Sequence, residues 1–112
     1  MQPRSLEITA PAWLGEGVEW DRAYRRVEDR MRLAVALARR NVEEETGGPF
    51  GAAIFESESG RIVAVGVNLV VPSHNSVLHA EILAIMMAQR RLGSHSLRGR
   101  GLPDHDLGCP AP

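Results

Sequence analysis

An α/β fold, with helices laid on both faces of a small sheet, is what this sequence predicts, and three patterns carry the prediction. Apolar residues recur every three or four positions from residue 18 to residue 44. Two short apolar runs, 50–55 and 61–68, flank the turn-like stretch Glu56-Ser57-Glu58-Ser59-Gly60. The stretch 75–88 then reads as a helix that is apolar almost all round, as a buried helix is.

Taken in order, residues 1–17 hold Pro3, Pro11 and Gly15, with Trp13 and Leu14 as their sizeable apolar pair. They read as an irregular arm laid over the surface, and residues 18–112 as the domain proper. Trp20, Tyr24, Val27, Met31, Ala34 or Val35, and Ala38 mark one stripe of a long amphipathic helix over 18–44. Gly47-Gly48-Pro49 then supply a left-handed cap and a residue that cannot continue the helix. Arg25, Arg26, Glu28, Asp29, Arg30 and Arg32 read as its solvated face, because the acids cancel any basic stripe.

The next run is small and apolar near 52–55, and the one after it is β-branched over 62–67, which predicts two antiparallel strands covered on both faces. Gly51 and Gly66 are places where another backbone or a ligand could come close. Pro72 breaks the loop 69–76. A helix over 79–92 should end near Gly93, residues 94–106 read as loop, and Leu107 opens a third strand. His74, His95 and His105 read as loop histidines. No internal repeat or low-complexity tract is visible.

A length of 112 residues allows one domain, at the small end of what buries its own core, so a partner chain is expected to help. The formal charge of −1 gives no field toward nucleic acid or an acidic membrane. The first 17 residues lack the long apolar run of a signal peptide or membrane span, and the single cysteine, Cys109, excludes an internal disulfide framework. A cytoplasmic protein is the expectation.

The chemistry concentrates at His79 and Glu81. Ionisable groups at the start of a buried helix are costly unless paired, hydrogen-bonded or bound to a metal. Residues two apart on a regular helix point to nearly opposite sides, so the pair can converge only if His79 sits at the helix entrance with non-ideal geometry.

Read together, the long helix, Gly47-Gly48-Pro49-Phe50-Gly51-Ala52, the hairpin, Gly66-Val67-Asn68, His79-Ala80-Glu81, the apolar helix and Leu92-Gly93 follow one order. This order resembles the zinc-dependent deaminases of the cytidine deaminase superfamily, with wording closest to the guanine deaminase branch. The resemblance implies a three-layer α/β/α fold of which this chain supplies the amino-terminal half. It implies hydrolytic deamination of a purine or pyrimidine base or nucleoside, a Zn2+ cofactor and a homodimer. By resemblance, His79 is a zinc ligand, and Glu81 passes a proton from the metal-bound water to the ring nitrogen and then to the leaving ammonia. Asn68 would bond the base or sugar, the backbone N–H of Ala80 would stand beside the attacked carbon, and Phe50 would wall the pocket. Without the family, Asn68 reads as a strand end and Phe50 as core.

The family also requires Pro-Cys-x-x-Cys at the start of the next helix, and the sequence does not contain it. By resemblance Cys109 is the second candidate zinc ligand, since it follows His79 at an interval seen in compact members, but Pro112 stands three residues later. If Gly101 to Leu107 leads into the third strand, Cys109 also comes too early. A truncated or frame-shifted product is the expectation, holding no stoichiometric zinc alone. The alternatives are a transfer-RNA adenosine deaminase, which would need a basic surface, and a non-catalytic fragment acting by association.

Overall fold

The computed structural model describes residues 1–97 and the backbone of residues 105–108. Its elements run α1 (Val27–Glu43), β1 (Gly51–Glu56), β2 (Ile62–Val67), α2 (Ala80–Leu92) and β3 (His105–Gly108). The sheet order is β2-β1-β3, with both neighbours antiparallel to β1. The hairpin, the two helices on it and the third strand are those the sequence predicts, with β2 at its predicted bounds. No helix among the described residues is long and apolar enough to cross a membrane.

Two glycines fix the layers. A Cβ on Gly51 would lie 2.4 Å from the Ala34 carbonyl oxygen and 2.9 Å from the Ala38 nitrogen, so α1 rests directly on β1. A Cβ on Gly66 would lie 2.3 Å from the Ala80 carbonyl oxygen and 2.6 Å from the Ala84 nitrogen, so α2 rests on β2. Neighbouring strand residues face opposite ways, and the helices therefore take opposite faces. Beneath α1 lie Phe55, Val65 and Val67 with Leu37, Tyr24 and Trp13. Beneath α2 lie Ala52, Ile54 and Ala64, and the helix turns Ala80, Ala84 and Ala88 toward them, alanines that permit the close approach. Val63 joins them because the register shifts between Ile54 and Phe55. Burying a side chain such as Phe55 contributes about 2 to 3 kcal/mol.

Several expectations are corrected. The first helix begins at Val27, not residue 18, because the Tyr24 N–H donates to the Gly60 carbonyl at the hairpin turn (2.8 Å), which ties that segment to the sheet. The buried stripe of α1 is Ala34, Leu37 and Asn41, leaving Val27, Met31, Val35 and Val42 exposed. Arg30 is not on a solvated face: its Nε donates to the Tyr24 carbonyl at 2.6 Å and its guanidinium lies 5.0 Å from the Phe55 ring centroid.

Glu45, at φ 57°, takes the left-handed position after α1 that Gly47-Gly48 was expected to take. The second helix buries one face rather than its whole circumference, since only one side meets the sheet: Ala80, Leu83, Ala84 and Ala88 are buried, while Ile82 is 39% exposed. It ends on Gly93 at φ 65°, as expected. His105 and Asp106 belong to β3 rather than to a loop, because their backbone pairs with Glu56 and Phe55.

Candidate active site

Antiparallel pairing puts the start of β1 beside the end of β2, with Gly51 opposite Val67, and the Asn68 N–H donates to the Phe50 carbonyl at 3.2 Å. The amino end of α2 comes to the same place. Gly66 lies against Ala80, and the Leu69 N–H donates to the Leu78 carbonyl at 3.1 Å. Phe50, Asn68, His79, Ala80 and Glu81 are thus carried to one end of the sheet by backbone alone.

The entrance to α2 is built by Asn75. Its side-chain oxygen accepts the Val77 N–H at 3.1 Å, and its carbonyl accepts the Leu78 N–H at 3.1 Å, closing a turn of the Asx kind. The turn drives Leu78 into the core, 1% exposed. His79 follows as the N-cap residue, extended at φ −74° and ψ 163°, which is the non-ideal entrance that its spacing to Glu81 demands. Its side chain makes no capping bond. The first helical bond runs from the Leu83 N–H to the His79 carbonyl at 3.1 Å. Among the described residues, the N–H groups of Ala80, Glu81 and Ile82 therefore have no hydrogen-bond acceptor.

Asn68 is buried, 8% exposed. Its Oδ1 accepts the Val70 N–H at 3.2 Å, while its Nδ2 donates to nothing among the described residues. A buried amide nitrogen without an acceptor is uncommon in a folded protein and points to a ligand or water. Phe50, 37% exposed, is not core: a Cβ on Gly48 would stand 3.4 Å from its ring and 3.6 Å from Asn68 Oδ1, so ring and carboxamide flank one glycine. Glu81 is half-buried in the first turn of α2, where the helix field favours a negative charge, and its carboxylate has no partner among the described residues.

Zinc fits this donor set only in part. Among the described residues no group of three histidine, cysteine, aspartate or glutamate side chains could hold a metal, and His79 is exposed. Cys109 lies outside the described residues. His74 and His95 are exposed and make no such group. Cavities of about 280 Å³ and 210 Å³ lie on another flank, sharing Trp20, Val63 and Arg91, and touch none of the expected site residues.

Sequence reasoning missed Asn41 and Thr46. Asn41 is fully buried on α1, and its Nδ2 donates to the carbonyls of Gly48 and Asn68, each at 2.9 Å. A Cβ on Gly47 would lie 2.0 Å from the Asn68 carbonyl oxygen and 2.7 Å from Asn41 Nδ2, which is why glycine stands there. The available signal was a polar residue one turn past Leu37 on the buried side of the helix.

Residues 25–103 match the family model of the cytidine and deoxycytidylate deaminase zinc-binding region. The guanine deaminase of Bacillus subtilis (strain 168) is 41% identical over 70 residues, covering 62% of this chain and 44% of that protein. A guanine deaminase structure from Nitrosomonas europaea superposes with TM-score 0.83 at 39% identity, over 96% of this chain and 58% of its own. A structure of the protein designated NE0047 with 2,6-diaminopurine gives TM-score 0.83 at 42% identity, over 92% and 54%. A transfer-RNA A34 deaminase structure gives TM-score 0.57 at 32% identity, over 71% and 55%. The chain spans about half the length of these relatives.

Proposed function

This chain belongs to the cytidine and deoxycytidylate deaminase family, and from that membership we propose that its site serves hydrolytic removal of the exocyclic amine from a free purine base of the guanine type. The observation that carries the reading is the buried Asn68 with its Nδ2 unpartnered, at the entrance of a helix whose first N–H groups and Glu81 carboxylate are also unpartnered. The guanine deaminase relatives favour a base over a transfer RNA, as does the formal charge of −1.

In this reading Asn68 Nδ2 donates to an acceptor on the base, and Phe50 covers one side of the ring. The Ala80 N–H stands beside the carbon under attack. Water supplies oxygen to that carbon, and the amine leaves as ammonia with one of the water's protons while the other stays on the ring nitrogen. Glu81 is the carrier: its carboxylate accepts a proton from water and delivers it to the ring nitrogen, then moves the second to the departing nitrogen. A metal that lowers the pKa of water is the chemistry the family adds, using three protein ligands and an open position. His79 would be one of those ligands, and the described residues hold no group of three donors around it.

Three measurements on the dialysed 112-residue protein test this: titration with 2,6-diaminopurine, zinc content, and ammonia release from guanine. The expected outcome is saturable base binding, weakened about tenfold or more by Asn68→Ala, with less than one zinc per chain and no turnover. A wild-type protein indifferent to the base overturns the reading. One zinc per chain with turnover overturns the donor count and would mean that further side chains complete the site.

A further inference from the structure

Asn68 stands just past the end of β2, where the ladder no longer holds it. Its backbone there depends on two contacts, its own N–H to Phe50 and its carbonyl to Asn41 Nδ2. The same Asn41 amide also holds the Gly48 carbonyl, two residues before Phe50. One NH2 group therefore clamps both segments that flank the base.

What keeps that NH2 turned toward the carbonyls is a directional chain. Thr46 Oγ1 lies 2.6 Å from Asn41 Oδ1 and 3.0 Å from Trp13 Nε1. An indole N–H can only donate, so it occupies a lone pair of the hydroxyl and leaves the hydroxyl proton for Asn41, whose Oδ1 at 2.6 Å is a nearer acceptor than its backbone carbonyl at 3.3 Å. With Oδ1 accepting that proton, Nδ2 must face Gly48 and Asn68; the flipped amide would set oxygen against two carbonyl oxygens. Trp13 is 6% exposed and Asn41 fully buried, so water does not compete easily for these bonds.

We infer that the hydrogen-bond chain from Trp13 through Thr46 to Asn41 is a positioning device for Asn68, so that an amino-terminal residue outside the family-matched span 25–103 tunes base recognition. The claim about recognition rests on the proposed function; the coupling to Asn68 does not.

The test removes one polar atom at a time from the 112-residue protein. Thr46→Val keeps the shape and loses the hydroxyl, Thr46→Ser restores it, and Trp13→Phe loses the N–H. Three-bond couplings to the Asn68 side-chain carbon report whether χ1 is fixed, and need no ligand. One rotamer is expected in wild type and Thr46→Ser, and averaged couplings in Thr46→Val and Trp13→Phe, with β1 and β2 resonances unmoved. Titration with 2,6-diaminopurine should be about tenfold weaker for Thr46→Val and unchanged for Thr46→Ser. A fixed Asn68 rotamer in a folded Thr46→Val protein overturns the inference whatever the titration gives, and if that variant does not fold, Trp13→Phe decides by the same couplings. Failure of wild type to bind the base removes the proposed function and leaves the couplings to decide the positioning.

Discussion

The carboxyl end of α1 and the amino end of α2 meet the same difficulty, backbone groups with no partner inside the helix, and they meet it differently. At the end of α1 the Glu44 N–H donates to Arg40, Glu45 to Val42, and both Thr46 and Gly47 to the Asn41 carbonyl, while the Asn41 side chain binds on to Gly48 and Asn68. At the start of α2 three N–H groups, the His79 ring, the Glu81 carboxylate and Asn68 Nδ2 have no partner among the described residues. Hydrogen bonds left unmade in a partly buried place cost stability, and their concentration at one end is what the proposed base site rests on. The satisfied end is the frame, and Asn68 is where the two meet.

Cutting the frame should have the largest effect. Asn41→Leu keeps the branched shape but leaves the Asn68 carbonyl with no partner among the described residues and takes one bond each from the Gly48 carbonyl and the Thr46 hydroxyl, and is expected to lower stability by about 2 to 4 kcal/mol. The denaturant midpoint measures it. A loss under about 1 kcal/mol would mean that water replaces the amide and that the end of α1 is no better satisfied than the start of α2.

Next comes the contact that joins α2 to the sheet. Gly66→Ala places a methyl against the Ala80 carbonyl and the Ala84 nitrogen, both backbone, and should cost about 1 to 3 kcal/mol. Because the strain falls on the first turn of α2, base binding should weaken with it. Unchanged stability would show that α2 shifts freely on β2, and that its entrance is not fixed against Asn68 by this contact.

How much of this comparison was legible beforehand follows from the range of the interactions. The start of α2 could be read because His79 and Glu81 are ionisable residues in an apolar run, which is a local pattern, although the structure leaves His79 exposed and Glu81 half-buried rather than buried. The bounds of β2 followed from its β-branched run between Gly60 and Asn68. The start of α1 could not be read, since Trp20 and Tyr24 continue the helical period and only a bond to distant Gly60 pulls Tyr24 out of it. The Asn41 frame was hidden for the same reason: its partners lie 5, 7 and 27 residues away, and nothing near Asn41 announces them. Gly47 was noticed as a turn former, whereas its need for glycine comes from the Asn68 carbonyl against it. The roles of Asn68, Ala80 and Phe50 came from family resemblance, and their chemistry stands as proposal.

The unsatisfied end predicts a gain. His79 occupies the N-cap without capping, a position where a short side-chain oxygen would bind the Glu81 or Ile82 N–H. His79→Ser should therefore stabilise the chain by about 1 kcal/mol, a rise in Tm of about 4 to 8 °C for a domain of this size. A fall in Tm would show that the imidazole already supports the helix entrance, and the contrast between the two ends would narrow.

The smallest effect sharpens the contrast most. Glu81 sits in the first turn of α2, where a negative charge gains about 0.3 to 1 kcal/mol from the helix field, and has no partner among the described residues. Glu81→Gln keeps the shape and removes the charge, so the loss of the helix term is offset in part by easier burial of a neutral group. Stability should stay within about 0.5 kcal/mol of wild type. A carboxylate held by the fold, as Asn41 is held, would instead lose about 1.5 kcal/mol or more when neutralised. Urea denaturation of the two proteins side by side separates these outcomes. A loss of that size would make Glu81 part of the frame, held by the fold as Asn41 is; no loss leaves a half-buried carboxylate free of the frame, as the proposed proton carrier requires.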